Sequence, residues 1–196
     1  GGGFGGKTTI YLEPLAVKLS EKADRPVKMV MSRDEVFKAT GPTPGTKIRV
    51  KIGAKKNGEI TAGKAWLAYQ SGAFPGPWGK LGGWCIFACY NIPNVHIEAH
   101  EILLNRPVNI AYRAPSAPMA AYPTETVLDQ IAKEIDMDPI DLRLLNAVKE
   151  GDIQLGDFGG KYPRIGIKET LEAIKNHPNY KIPLAPNQGR GIATGY

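Results

Sequence analysis

The residues best suited to chemistry open the 196-residue chain, where Gly1 to Thr8 read GGGFGGKT. They fit the phosphate-binding pattern G-x-x-x-x-G-K-[ST], and Gly1, Gly3 and Gly6 also satisfy G-x-G-x-x-G. Such a loop works when a strand delivers its glycines to a helix N-terminus, so that backbone N–H groups surround phosphate oxygens while Lys and Thr reach the terminal phosphate and Mg²⁺. No strand stands before Gly1, and the later pattern is an antiparallel hairpin instead of the strand–helix alternation of a nucleotide-binding sheet. What survives is near-bare backbone running into a helix, able to bring amide donors close to an anionic or oxo-bearing ligand. A non-redox anion-binding or interaction module and, less readily, a P-loop-like nucleotide-binding domain are the readings this loop leaves open on its own.

Other candidate groups carry less. Cys85 and Cys89 are too few for a disulfide framework and lack the second pair of a zinc site, which points to a reducing, cytoplasmic setting. Their helical spacing of four suits two small buried side chains on one face. His96 and His100 fall on one face of a strand without a third ligand, as a surface pair would. Glu98 and Glu101 read as solvated strand carboxylates, and Glu125 as a helix-end charge. No metal-ligating set emerges.

The elements that must position these groups follow from pattern. With 42% hydrophobic and 22% charged residues, the composition excludes collagen-like and disordered chains. No signal peptide or apolar run near 20 residues is present. The surplus of 25 Lys and Arg over 19 Asp and Glu is dispersed, unlike the gathered basic patch of a nucleic-acid reader. Helical periodicity runs from Thr9 to Ala23, with Pro14 as the candidate kink, and Val27–Met31 reads as a short strand. Ser32 and Glu35 form a capping box for a brief helix to Lys38. Ile48, Val50 and Ile52 alternate with Lys47, Arg49 and Lys51, and Asn57-Gly58 supplies a two-residue type I′ turn into a returning strand from Ile60 to Gln70. Ser71 to Gly83, dense in Gly and Pro, reads as an irregular loop with Phe74 and Trp78. A strand follows from Val95 to Leu104, then another strand or bridge ending at Tyr112-Arg113. Helices are expected over Met119–Ile135, with Pro123 in its first turn or at a kink, from Asp138-Pro139 to about Val148, and over Ile165–Asn176. Gly189–Tyr196 looks like a strand. The sum is an α+β fold, an antiparallel or mixed sheet with helices packed on it, with sub-lobes at 1–72 and 73–196.

GGGFGGK at 1–7, Cys89-Tyr90-Asn91-Ile92-Pro93-Asn94, and Ala111-Tyr112-Arg113-Ala114-Pro115 with Glu125 after it occur in one order. Together with Arg25-Pro26-Val27 and the Leu142–Gly151 stretch, they resemble the molybdenum-binding large subunit of the xanthine dehydrogenase, aldehyde oxidase and carbon monoxide dehydrogenase family. The resemblance spans nearly the whole chain and only a middle slice of a much longer subunit. It implies that Gly3, Phe4 and Gly5 face the molybdenum–molybdopterin cofactor, the cytosine dinucleotide form being one option, while Arg113 and Ala114 flank its other side. It also implies hydroxylation with water as oxygen source, and electrons leaving to iron–sulfur clusters and FAD on partner domains or subunits. Further partners would be the remainder of the same subunit and a small-molecule substrate, with neither nucleic acid nor membrane.

Departures from the family pattern narrow the substrate. Where xanthine enzymes carry a glutamate, an arginine and an aromatic, this chain has Thr8, about Leu81 and Pro115. Ala114 stands where copper-holding carbon monoxide dehydrogenases have cysteine. An aldehyde or N-heterocycle is the substrate class left, in an apolar pocket lined by Phe74, Trp78, Leu81 and Trp84. The family's base glutamate falls outside residues 1–196, so no catalytic residue is assigned and the chain is not expected to be active alone.

Overall fold

The computed structural model describes residues 2–155 and 159–195. Ten elements follow in the order α1 (Glu13–Ala23), α2 (Arg33–Ala39), β1 (Thr46–Ala54), β2 (Ile60–Gly72), α3 (Trp78–Cys85), β3 (Val95–Leu103), α4 (Ala117–Glu134), α5 (Pro139–Asn146), α6 (Ile167–Asn176) and α7 (Pro178–Lys181). The α+β class is as the alternation and helical periods imply.

One sheet in the order β1-β2-β3 organises the core. β2 pairs antiparallel with β1, setting Ile48 opposite Leu67 and Val50 opposite Ala65, and parallel with β3, setting Ile97 opposite Ala65. The sheet is therefore mixed. The alternate residues Ala65, Leu67 and Tyr69 of β2 are wholly buried, and Phe87, Leu128 and Ala120 lie in the same core cluster. Lys47, Arg49, Lys51 and Lys64 keep to the other face, where they stay solvated. At roughly 25 cal/mol per Å² of apolar surface removed from water, this burial of one face is the main source of order in the fold.

Several local expectations are corrected. The first helix starts at Glu13, because Pro14 fits its first turn, where the missing N–H costs nothing, and does not kink it. Val27–Met31 is extended but joins no ladder among the described residues. The β1–β2 turn is not a two-residue type I′ turn. The Gly58 N–H donates to the Lys55 carbonyl at 2.9 Å, the Lys55 N–H to the Glu59 carbonyl at 2.9 Å, and only Gly58 has positive φ, which is a three-residue loop closed by a glycine bulge.

Residues 78–85 form helix α3 within what the Gly and Pro content marks as loop. A Cβ on Gly82 would lie 2.4 Å from the Tyr69 hydroxyl, so bare backbone is what lets this helix lie flat on β2. Glu101 of β3, far from being solvated, accepts the Gly79 amide at the first turn of α3 and the Ser71 hydroxyl. No strand or bridge ends at Tyr112-Arg113, and Gly189–Gly195 is extended without a ladder. Tyr196 lies outside the described residues, as does Gly1 of the opening motif. Pro123 sits inside α4, past its first turn, and α5 stops at Asn146 because Ala147 turns extended and bridges Tyr90.

Candidate functional site

The opening loop is a built turn. The Gly6 N–H donates to the Gly3 carbonyl at 2.8 Å, and the two residues between, Phe4 and Gly5, have φ of 51° and 92°. Two successive positive φ values are the signature of a type I′ turn, and glycine accepts them without strain whereas phenylalanine does not. The Phe4 ring, 67% exposed, therefore stands out from the turn on backbone held in a sparsely populated conformation. Thr8 folds back so that its hydroxyl donates to the Gly5 carbonyl at 2.8 Å.

Gly5 also touches the second loop. A Cβ there would meet the Ala111 carbonyl oxygen at 3.1 Å, so the glycine turn and the start of the Ala111–Pro115 segment lie against each other although more than 100 residues apart in sequence. The segment is held from below. The Asn109 N–H donates to the Ser71 carbonyl at 3.0 Å, and the Ile110 N–H to the Pro42 carbonyl at 3.1 Å. Ala114 and Ser116 then take positive φ, 56° and 66°, which turns the chain sharply into α4. Ser116 fixes that corner, since its buried hydroxyl donates to the Trp78 carbonyl at 2.8 Å and its own carbonyl accepts from the Tyr69 hydroxyl at 3.3 Å. Two strained loops are thus anchored to the sheet and to α3.

Within this arrangement Gly3, Phe4 and Gly5 form the turn. Arg113 and Ala114 are exposed at the far end of the opposed segment, with Pro115 half-buried beside them. The amides of Phe4, Gly5, Arg113 and Ala114 and the Arg113 guanidinium make no hydrogen bond or ion pair among the described residues. Thr8 is exposed beside the turn. Leu81 instead lies on α3, half-buried against the core, and Trp78 is a core residue while Phe74 is 65% exposed, so these aromatics line no common pocket.

Beneath Ala114 a cleft of about 230 Å³ runs between α3 and α4, lined by Cys85, Cys89, Tyr90, Thr124 and Glu125. Helix α3 ends at Cys85, so the two thiols do not share a helical face, and both are free. Burial pushes Cys89 up to about 11 and raises Cys85 as well. These are packing groups, inert as nucleophiles at neutral pH.

Sequence reasoning missed a buried polar cluster centred on Glu125. Glu125 is 6% exposed in the middle of α4, not a helix-end charge. It accepts from the Tyr90 hydroxyl at 2.6 Å, Arg143 Nε at 2.8 Å, the Thr194 N–H at 3.0 Å and the Thr194 hydroxyl at 2.9 Å. Burial works against the Arg143 charge, but Glu125 and the other partners outweigh it and raise its pKa. Burial likewise drives the Tyr90 phenol far upward, reinforced by the negative Glu125. The signal was available, since Glu125 shares a helical stripe with Leu128 and Ala132, both buried. No group of three or more His, Cys, Asp or Glu able to hold a metal occurs among the described residues. His96 pairs with Glu98 at 2.7 Å, and His100 lies beside Trp66 with ring centroids 5.5 Å apart.

The family model of the molybdopterin cofactor-binding domain matches residues 1–147. The chain is 31% identical over 178 residues to the nicotinate dehydrogenase large molybdopterin subunit of Eubacterium barkeri, covering 89% of this chain and 42% of that protein. It is 32% identical over 208 residues to the aldehyde oxidoreductase molybdenum-binding subunit PaoC of Escherichia coli O157:H7, covering 100% and 28%. The solved structure of aldehyde oxidoreductase from Desulfovibrio gigas superposes with a TM-score of 0.82 at 26% identity, covering 92% of this chain and 20% of that one. The chain thus spans less than half the length of each.

Proposed function

This chain belongs to the molybdopterin cofactor-binding family, and we propose that its glycine turn and its Ala111–Pro115 segment grip a molybdenum–pterin cofactor in a larger hydroxylase subunit. The observation that carries this reading is the seating of Gly5 against Ala111, which joins the two loops into one rim. The donor set suits the group. Uncommitted amides at Phe4, Gly5, Arg113 and Ala114 are fixed, compact and without titrating charge, as oxo and dithiolene atoms require. When bound, the cofactor supplies oxidative hydroxylation of an electrophilic carbon, with water as oxygen source.

The chain's own part is positioning. Gly3, Phe4 and Gly5 present backbone and ring to one edge of the group, and Arg113 and Ala114 hold the other. Thr8 and Pro115 border the substrate side, and Leu81 backs it one helical turn beyond Trp78, whose carbonyl anchors Ser116. We assign proton transfer to no residue of this chain. The substrate class we propose is an aldehyde or N-heterocycle, in keeping with the names of the relatives. The cytosine dinucleotide form of the pterin, iron–sulfur and FAD partners that take the electrons, and a cytoplasmic setting complete the proposal. No helix among the described residues is long and apolar enough to cross a membrane.

Metal analysis and pterin fluorescence on the purified full-length subunit test it. Both should be present in the wild type and fall severalfold in Gly5→Ala, whose methyl would crowd Ala111 from a φ of +92°. A correctly folded wild-type subunit, expressed in a host that makes the cofactor, that carried neither molybdenum nor pterin would overturn the reading.

A further inference from the structure

Residues 27–31, Val-Lys-Met-Val-Met, have the composition and alternation of a strand, yet they pair with no strand among the described residues. Val27, Met29 and Met31 are half-buried while Lys28 and Val30 are exposed, Val30 by 76%. This period of two is what a β-strand shows when one face is covered. Met29, Val30 and Met31 lie along a groove of about 430 Å³ with Leu12 and Leu15 on the other wall, so the run is backed by α1. No backbone N–H or C=O from Pro26 to Met31 makes a hydrogen bond to any described residue. At about 3.3 Å per residue the unpaired run is roughly 17 Å long, a typical strand length.

The surroundings point the same way. α1 and α2 contain no buried residue, and Leu15, Val17, Leu19 and Phe37 are 46–70% exposed. A strand backed by a helix is half of a layered unit, in which further strands complete both the ladder and the burial. Solvent serves unpaired amides adequately, but it does not explain why β-branched and thioether side chains alternate here with one face sheltered.

We infer that Val27–Met31 is the receiving edge for a β-strand contributed by the parent polypeptide from outside residues 1–196. The occupant must be extended backbone, because the recognition elements on offer are regularly spaced main-chain donors and acceptors. It should be apolar where it meets Val30 and α1. Chain to provide it exists in the relatives, which this sequence covers by only 20–42% of their length. The inference rests on the reading of this chain as part of such a subunit.

Hydrogen–deuterium exchange on the full-length subunit tests it, with peptides spanning 26–32 followed at several protein concentrations and with partner subunits present or removed. The expected result is exchange at Lys28–Met31 slowed about 100-fold or more relative to unstructured peptide, under every one of these conditions. Val30→Pro, which deletes one donor, should lose protection along the run, while Val30→Thr should keep it. Free exchange in the folded wild type overturns the inference. So does protection that appears only on raising the concentration, which indicates a second copy, or that vanishes when partner subunits are removed. Molybdenum content is read on the same sample. Protection without metal refutes the cofactor assignment alone, and metal without protection refutes the strand alone.

Discussion

Residues 2–40 and residues 46–148 are built on opposite principles. The second region closes on itself, with β2 sandwiched between neighbours and wholly buried along one face, α3 and α4 laid on that face, and a carboxylate–guanidinium pair sealed between α4 and α5. The first has two helices, a capping box and an extended run, and not one buried side chain among its described residues. Local sequence signals are strong in the first region and the packing is shallow. In the second the packing is dense and the local signals are mixed. Good caps and periodicity make helices, but only tertiary burial makes them stay.

The contrast can be broken or sharpened by substitution. The largest effect should come from Arg143→Met, which leaves Glu125 buried without its cation. A loss of about 3–5 kcal/mol is expected for breaking such a pair, read as a fall in the urea midpoint, and Glu125→Gln in the same background should restore part of it. Gly82→Ala should cost about 1–3 kcal/mol by forcing α3 off Tyr69, measured in the same way. If either variant unfolds like wild type, the second region is not the cooperative unit described.

Alkaline pH discriminates next. The Cys89 thiol is raised from 9.0 to about 11 by burial, and the Tyr90 phenol is raised too. Between those pH values the unfolded chain gives up the thiol proton while the folded chain keeps it, so stability must fall as pH rises from 9 through 11. Thermal midpoints recorded across that range should decline, and the decline should shrink in Cys89→Ala. At the small end, Ser32→Ala removes the α2 cap, in which the Ser32 hydroxyl accepts from the Glu35 N–H while the Glu35 carboxylate accepts from the Ser32 N–H. About 1 kcal/mol of local helix stability should go, visible as faster amide exchange in 33–39, with the global midpoint unmoved. A shift of the global midpoint would show that the first region is coupled to the core.

What could be read from the sequence divides along the same line. The Ser32–Glu35 box, the Asp138-Pro139 start and the β1–β2 hairpin are short-range patterns whose chemistry is complete within a few residues, and each is present. The failures are long-range. Glycines in α3 lower helix propensity but answer to Tyr69 at Gly82 and to the His100 backbone at Gly79, and the parallel register of β3 depends on a partner about 30 residues earlier in the chain. For the site, no periodicity relates Gly5 to Ala111. Only the resemblance to a family pointed to both loops, and their contact is a property of the fold. Glu125 escapes a local reading because a lone carboxylate beside an apolar stripe ordinarily marks a solvated edge, and its partners Tyr90, Arg143 and Thr194 lie 35, 18 and 69 residues away.

The last of those separations has a consequence for biosynthesis. Glu125 leaves the ribosome 69 residues ahead of Thr194, whose amide and hydroxyl fill its remaining sites. Arg143 similarly awaits the Ile192 carbonyl, which it reaches at 3.1 Å. During translation the nascent helical pair therefore stays wet on one side until Ile192 and Thr194 have emerged to cover it.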